Sequence, residues 1–98
     1  MRLAVFVSDF KGMVDTLERL TAEKLGIILV ENGVYHAVIK ENGNPSQLLK
    51  KSANFYVLSE DLATRGLSSS NVMSNVKVVN YNDVVDLIFN DYEKLAWL

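Results

Sequence analysis

Five side chains with acid–base or metal-binding chemistry fall at or near the predicted ends of strands: Asp9, Glu31, His36, Glu60 and Asp61. Carboxylates and imidazole can act as general acids or bases, and carboxylate oxygens are ligands for Mg²⁺. A structural interpretation competes with the catalytic one. Carboxylates at 60 and 61 would complement a helix dipole, the one at 9 suits a turn, and the one at 31 suits an exposed strand end. Base catalysis by the histidine needs an orienting partner that the sequence does not identify, so we expect a surface or interface residue.

The 98 residues include no cysteine and one histidine. Disulfides, thiolate metal ligands and covalent sulfur chemistry on this chain are therefore excluded, as is a polyhistidine zinc site. Neither G-x-G-x-x-G nor G-x-x-x-x-G-K-[ST] occurs, and the carboxylates of Glu60 and Asp61 would repel a phosphate. We expect no nucleotide, metal or other cofactor.

Composition narrows the class of protein further. Ten Lys and Arg against twelve Asp and Glu give a net charge of -2, and the Lys50-Lys51 doublet is too small to follow a phosphate backbone. The longest apolar runs, 3–7 and 27–30, are far shorter than the ~20 residues of a membrane span, and no signal peptide is recognisable. We expect a cytoplasmic protein, folded as a single domain over 1–98, without direct contact with nucleic acid or membrane.

A buried strand running directly into a short helix is the clearest local pattern. F-Y-V-L at 55–58 is apolar throughout and rich in β-favouring residues. Ser59 is the predicted N-cap of the helix that follows. Gly66 is predicted to end this helix in the left-handed conformation.

Strand and helix patterns alternate along the rest of the chain. Strands are predicted at 3–7, 27–30 and 76–79, with a short fifth strand in the tail 94–98, and helices at 13–20, 34–39 and after an N-cap at Asn82. The connections are too long for hairpins, so we expect a mainly parallel sheet of four to five strands in a three-layer α/β/α sandwich. Ligands of such folds bind at the carboxyl ends of the strands.

Aromatic residues near the ends of elements suggest contacts with another subunit, because such residues are enriched in interfaces. Arg65 is ambiguous, since it can bind the last carbonyls of its own helix or reach a partner carboxylate. The candidate interface residues are Tyr35, His36, Arg65, Tyr81, Tyr92 and Trp97.

Four segments of this chain, in this order, resemble the DsrH/TusB family: I-L-V-E-N-G-V-Y-H-A-V, V-L-S-E-D-L-A-T-R-G-L, N-Y-N-D-V-V-D-L-I-F-N-D-Y and a closing A-W. The most specific piece is the acidic-leucine-x-x-Arg-Gly core at 60–66, supported by Asn32-Gly33-Val34 and Trp97. The resemblance spans nearly the whole chain. It implies a DsrE/F/H-like α/β fold.

The resemblance also implies a role in intracellular sulfur relay, beside DsrE/TusD-like and DsrF/TusC-like subunits. In the TusBCD form, persulfide sulfur passes towards 2-thiolation of a tRNA wobble uridine; in the DsrEFH form, the setting is sulfur oxidation. The principal sulfur-carrying cysteine belongs to the DsrE/TusD-type partner. Since this chain has no cysteine, we expect a non-catalytic subunit, either in a hetero-oligomer or as a homodimer. The alternatives are a stand-alone homo-oligomeric binding protein of the same fold and a small metal-dependent enzyme.

Overall fold

The computed structural model describes residues 2–8, 24–38, 40–41, 44–45, 49 and 53–97. Its strands are β1 (Arg2–Val7), β2 (Lys24–Leu29), β3 (Lys40–Glu41), β4 (Asn44–Pro45), β5 (Asn54–Leu58), β6 (Val76–Val79) and β7 (Lys94–Trp97). Its helices are a 3₁₀ helix (Glu31–Ala37), α1 (Ser59–Thr64), a 3₁₀ turn (Ser69–Asn71) and α2 (Tyr81–Asn90).

Five of the strands form one parallel sheet in the order β6-β5-β2-β1-β7. The short strands β3 and β4 pair antiparallel with each other, apart from this sheet. The prediction of a mainly parallel α/β sheet is confirmed, including the fifth strand formed by the tail. No helix in the described part of the chain has both the length and the apolar character needed to cross a membrane.

Alternate side chains of the central strands belong to two separate apolar clusters, one on each face of the sheet. On the α1 face, Leu25, Ile27 and Leu29 pack with the 3₁₀ helix and with Leu62 of α1. On the α2 face, Ile28 and its neighbours pack against α2, and the members of that cluster include Ala4, Val30, Leu58, Val79, Val84 and Tyr92. Both faces of β2 are buried from Leu25 to Leu29, which explains why no charged or polar side chain occurs in that part of the strand.

Three local predictions were wrong. Lys24–Leu29 forms β2, so the strand begins three residues earlier than predicted. Leu58 occupies the N-cap position of α1, and the Ser59 hydroxyl donates to the Glu60 carboxylate. Asn80, rather than Asn82, caps α2: its side chain accepts from the Asp83 N–H at 2.9 Å and its own N–H donates to the Asp83 carboxylate at 3.1 Å.

The helix predicted at 34–39 exists as the 3₁₀ helix Glu31–Ala37, so it starts and ends earlier than predicted. The helix predicted at 13–20 lies outside the described residues.

Gly66 ends α1 as predicted. Its φ is 71°, and its N–H donates to the Ala63 carbonyl at 3.0 Å while the Leu67 N–H donates to the Leu62 carbonyl at 2.9 Å. This hydrogen-bond pair is the Schellman motif, and Leu67 completes it by packing on the cluster that contains Leu62.

Gly33 is required for the close approach of the 3₁₀ helix to the end of β1. A Cβ built at this position would overlap the carbonyl oxygen of Val7. That oxygen accepts the Val30 N–H at 3.0 Å, so it cannot move aside without breaking the contact between β1 and the end of β2. The glycine of the Asn32-Gly33-Val34 sequence is therefore explained by its contact with the backbone of Val7.

We predict that Gly33→Ala lowers the free energy of unfolding by about 3 kcal/mol, because the added methyl group meets backbone that cannot move aside. Gly66→Ala is the matched control: a Cβ there meets nothing within 4 Å, so only the left-handed backbone opposes it, at about 1 kcal/mol. Urea unfolding followed by far-UV circular dichroism measures both. Equal losses for the two variants would contradict the packing argument.

Candidate functional site

Two consecutive carboxylates in the first turn of α1 bind the N-termini of neighbouring helices. The Asp61 carboxylate accepts the N–H of Glu31, the first residue of the 3₁₀ helix, at 2.6 Å. The Glu60 carboxylate accepts the N–H of Tyr81, the first residue of α2, at 3.3 Å. Backbone amides in the first turn of a helix have no partner within that helix. Glu60 and Asp61 therefore connect α1 to both of its neighbours.

Arg65 strengthens the link between α1 and the 3₁₀ helix. Its guanidinium donates twice to the Asn32 side-chain oxygen, at 3.2 and 3.0 Å, and once to the Asp61 carbonyl at 3.2 Å. Of the two roles left open by the sequence, binding a carbonyl of its own helix is thus observed. The planar fork of arginine suits this paired geometry, which a lysine could not reproduce.

Hydrogen bonding makes Glu60 a stronger acid than usual. Partial desolvation acts to raise its pKa, but the backbone N–H groups of Glu60 and Tyr81 and the Ser59 hydroxyl together hold the pKa below its ordinary value of 4.5. The charged carboxylate is the form that accepts these bonds. It is therefore placed to hold the helix N-termini rather than to donate a proton.

Glu31 has a left-handed backbone, with φ at 49°. A residue with a Cβ seldom adopts this conformation outside special sites, because the Cβ crowds the following carbonyl. The hydrogen bond from its N–H to Asp61 holds the backbone in place. The chain turns here from β2 into the 3₁₀ helix, and the Glu31 side chain is exposed at the edge of the sheet.

A cavity of about 320 Å³ opens at this edge, between the carboxyl ends of the strands and the start of α2. We call it the edge pocket. One side carries the carboxylates of Glu31 and Asp61, and the remaining wall is aromatic and aliphatic: Phe6, Val30, Leu58, Tyr81, Val84 and Trp97. The rings of Phe6 and Trp97 stack, with centroids 5.0 Å apart and planes 20° apart.

Exposed apolar side chains extend from the edge pocket along the α2 face. Tyr81, Val85 and Phe89 follow one another at four-residue spacing on α2, and Leu95 and Trp97 alternate on the edge strand β7. Phe89 is 81% exposed, Trp97 62% and Tyr81 57%. We call these five residues the apolar strip. Large apolar side chains grouped on one surface are typical of interaction sites.

The structure separates the six interface candidates. Tyr81 and Trp97 lie together on the apolar strip. His36 is 3% exposed and Tyr92 6% exposed, so both lie within the chain. Tyr35 is half-buried in the 3₁₀ helix, and Arg65 makes the internal contacts described above.

Tyr92 packs against β2, where its ring occupies the space that a side chain at Gly26 would need. Burial, with a contribution from Tyr56, raises the pKa of the Tyr92 hydroxyl above its ordinary value. Tyr92 is therefore a core residue of this chain at the end of the sheet opposite the edge pocket.

Val85, Phe89 and Leu95 belong to the apolar strip but are not among the six interface candidates named from the sequence. The spacing of Val85 and Phe89 after Tyr81 was visible, yet an amphipathic pattern does not say which flank of a broad apolar helix faces the sheet. The exposure of Leu95 could not be predicted without knowing that the tail pairs with β1 at the edge of the sheet.

The five candidate catalytic residues are only partly brought together. Glu31, Glu60 and Asp61 meet at the carboxyl edge, whereas His36 lies buried in the 3₁₀ helix and Asp9 is outside the described residues. Within the described ranges, no three His, Asp or Glu side chains are arranged as a metal-binding set.

The parallel five-stranded sheet with helices against both faces places this protein in the parallel α/β class. The sequence family described as "DsrH like protein" matches residues 7–94. The chain belongs to this DsrH family.

Relatives of known sequence agree with this membership, and solved structures share the fold. Proteins named TusB from Yersinia pestis (strain Pestoides F) and Yersinia pseudotuberculosis are each 32% identical over 97 residues, covering 99% of this chain and 100% of theirs. The ychN protein from E. coli has a TM-score of 0.69 at 13% identity, covering 100% of both chains. Protein MTH1491 from Methanobacterium thermoautotrophicum, described as of unknown function, has a TM-score of 0.69 at 16% identity, covering 97% of both chains. These structures share the fold.

We predict that acid unfolding depends on Glu60. Its folded pKa is lowered, so its contribution to stability is present above the unfolded pKa and is lost as pH falls from about 4.5 through the folded pKa. Glu60→Gln should flatten this part of the stability profile, measured by urea unfolding at a series of pH values. Asp86→Asn, an exposed position on α2, is the control. An unchanged slope in Glu60→Gln would refute the assigned role.

We predict that Glu31→Gly stabilises the fold by about 0.5 kcal/mol, because relief of the left-handed conformation outweighs the extra freedom of glycine in the unfolded chain. Glu31→Ala is the control, since it removes the same carboxylate and keeps the Cβ. Thermal unfolding should give Glu31→Gly the higher midpoint of the two. The reverse order would show that the backbone at 31 is not strained.

Proposed function

We propose that this chain is a non-catalytic subunit of a cytoplasmic sulfur-relay complex of the DsrEFH/TusBCD type, acting in tRNA wobble-uridine 2-thiolation or in sulfur oxidation. Membership of the DsrH family and full-length similarity to proteins named TusB support a sulfur-relay subunit role tied to tRNA thiolation. Persulfide carriage requires a thiol, and the 98 residues contain none. The sulfur would therefore be carried by cysteine-bearing partners of the DsrE/TusD-like and DsrF/TusC-like kinds.

The observation that carries the subunit role is the apolar strip. Three of its members are aromatic, and aromatic residues dominate the buried centres of protein interfaces. All three, Tyr81, Phe89 and Trp97, are more than half exposed in the single chain. Fully burying a large apolar side chain stabilises a protein by roughly 1.5–3 kcal/mol relative to leaving it exposed. The single chain lacks this stabilisation at the apolar strip. Covering the apolar strip with another subunit recovers it.

The edge strand β7 adds a second reason for a partner at this place. Among the described residues it pairs with β1 alone, and it forms the end of the five-stranded order. An edge strand with exposed apolar residues is prone to pair with another chain. The apolar strip and β7 are continuous through Leu95 and Trp97, so one partner could cover both.

We predict that Phe89→Ala and Trp97→Ala weaken assembly with DsrE/TusD-like and DsrF/TusC-like proteins of the same organism by about 2 kcal/mol or more each. The free energy of unfolding of the isolated chain should change by less than about 0.5 kcal/mol for Phe89→Ala. It should change somewhat more for Trp97→Ala, which loses the stacking on Phe6. Native mass spectrometry of the mixed subunits measures assembly, and urea unfolding measures the fold.

Asn90→Ala is the matched control, because Asn90 is exposed on α2 but lines a cavity on another flank of the helix. It should leave assembly unchanged. A wild-type chain that remains a homodimer beside all candidate partners would instead support the stand-alone homo-oligomer. Full assembly of Phe89→Ala and Trp97→Ala would exclude the apolar strip as the contact surface.

A further inference from the structure

We propose that the edge pocket binds the side chain of an arginine presented by a partner polypeptide. That the partner is a subunit of the relay complex rests on the proposed function above. An arginine site would make this surface selective for one partner, which the apolar strip alone does not.

The aromatic wall of the edge pocket is suited to a flat cation. Phe6 and Trp97 form a stacked pair, and Trp97 is 62% exposed, so part of its surface is available to a ligand. Tyr81 also lines the cavity. A guanidinium stacks on aromatic faces and is attracted by their negative π surface, most strongly by that of tryptophan.

The acidic side of the edge pocket favours a positively charged occupant. Glu31 and Asp61 both line it, and none of the eight lining residues, all within the described ranges, is basic. A carboxylate has about four acceptor sites, and the Asp61 carboxylate uses one for the Glu31 N–H. The fork of five N–H donors on a guanidinium is matched to carboxylate geometry, and charge-assisted bonds of this type are the strong ones.

Other occupants fit the same observations less well. An apolar side chain would desolvate two carboxylates without giving them a hydrogen bond, which is unfavourable. An anion would be repelled by them. A lysine would supply the charge but neither the plane for stacking nor the paired donors. At about 320 Å³, the cavity lies at the small end of the ~300–1,000 Å³ range of ligand pockets, which suits one side chain better than an extended ligand.

Trp97 provides a direct readout because it is the single tryptophan of the chain. The first experiment titrates the full chain with the peptide acetyl-Gly-Arg-Gly-amide and follows tryptophan fluorescence. The matched probe has citrulline in place of arginine, which keeps the shape and removes the charge. We expect a saturable change with the arginine peptide and about tenfold weaker binding of the citrulline peptide, because the charge-assisted bonds are lost.

Variants locate the binding. Glu31→Gln keeps the size of an exposed side chain and removes its charge, so it should weaken the arginine peptide about tenfold. Asp86→Asn, an equivalent change outside the edge pocket, should leave binding unchanged. Equal binding of the arginine and citrulline peptides, no saturable change, or equal loss in both variants would overturn the proposal. Equal binding of a lysine peptide would overturn the assignment to arginine.

A second experiment separates the edge pocket from the proposed function. Wild type and Glu31→Gln are each mixed with the DsrE/TusD-like and DsrF/TusC-like subunits, and the complexes are quantified by native mass spectrometry. Weaker assembly of Glu31→Gln supports the relay partner as the source of the arginine. Peptide binding without any assembly of the wild type keeps the pocket and refutes the relay role. Unaltered assembly of Glu31→Gln refutes the assignment of the arginine to the relay partner.

Discussion

Helices that begin at the carboxyl edge of a parallel sheet bring their N-termini close together, and each N-terminus carries backbone amides that its own helix cannot satisfy. In this protein, Glu60 and Asp61 supply the acceptors. Glu60 binds the first amide of α2, and Asp61 binds the first amide of the 3₁₀ helix. Because both carboxylates sit in the first turn of α1, the three helices are fixed relative to one another. The walls of the edge pocket depend on that arrangement.

The same contacts explain why this edge lacks the features of a nucleotide site. The amides that a phosphate would use already bind carboxylates, and those carboxylates would repel the phosphate. The edge is left with negative charge beside aromatic rings. On the adjoining surface, the apolar strip continues along α2 and β7. Charge at one end and apolar area along the rest are the ingredients of a specific protein contact, in which polar groups select the partner and apolar burial stabilises it.

Much of the fold could be predicted from the sequence, because a strand that is buried on both faces has a continuous apolar sequence. The strands at 3–7 and 55–58 were predicted from apolar runs, and Gly66 was identified from the need for a left-handed residue at the end of α1. Helix caps were harder. Ser59 and Asn82 are plausible caps by residue type, yet neighbouring residues occupy the cap positions. Local propensity does not decide between adjacent residues when tertiary packing fixes where the helix begins.

The sequence by itself determined the parallel α/β class, the lack of a cysteine thiol and the resemblance to the DsrH family, because these depend on residue types, their order and their spacing. Only the tertiary structure decided that Glu60 and Asp61 serve helices other than their own, that Tyr92 is core while Trp97 is surface, and that Glu31 shares a cavity with Trp97. The physical reason is that these are contacts between residues 21 to 66 positions apart. Such contacts depend on the order of the strands in the sheet, and this order cannot be predicted from local sequence patterns.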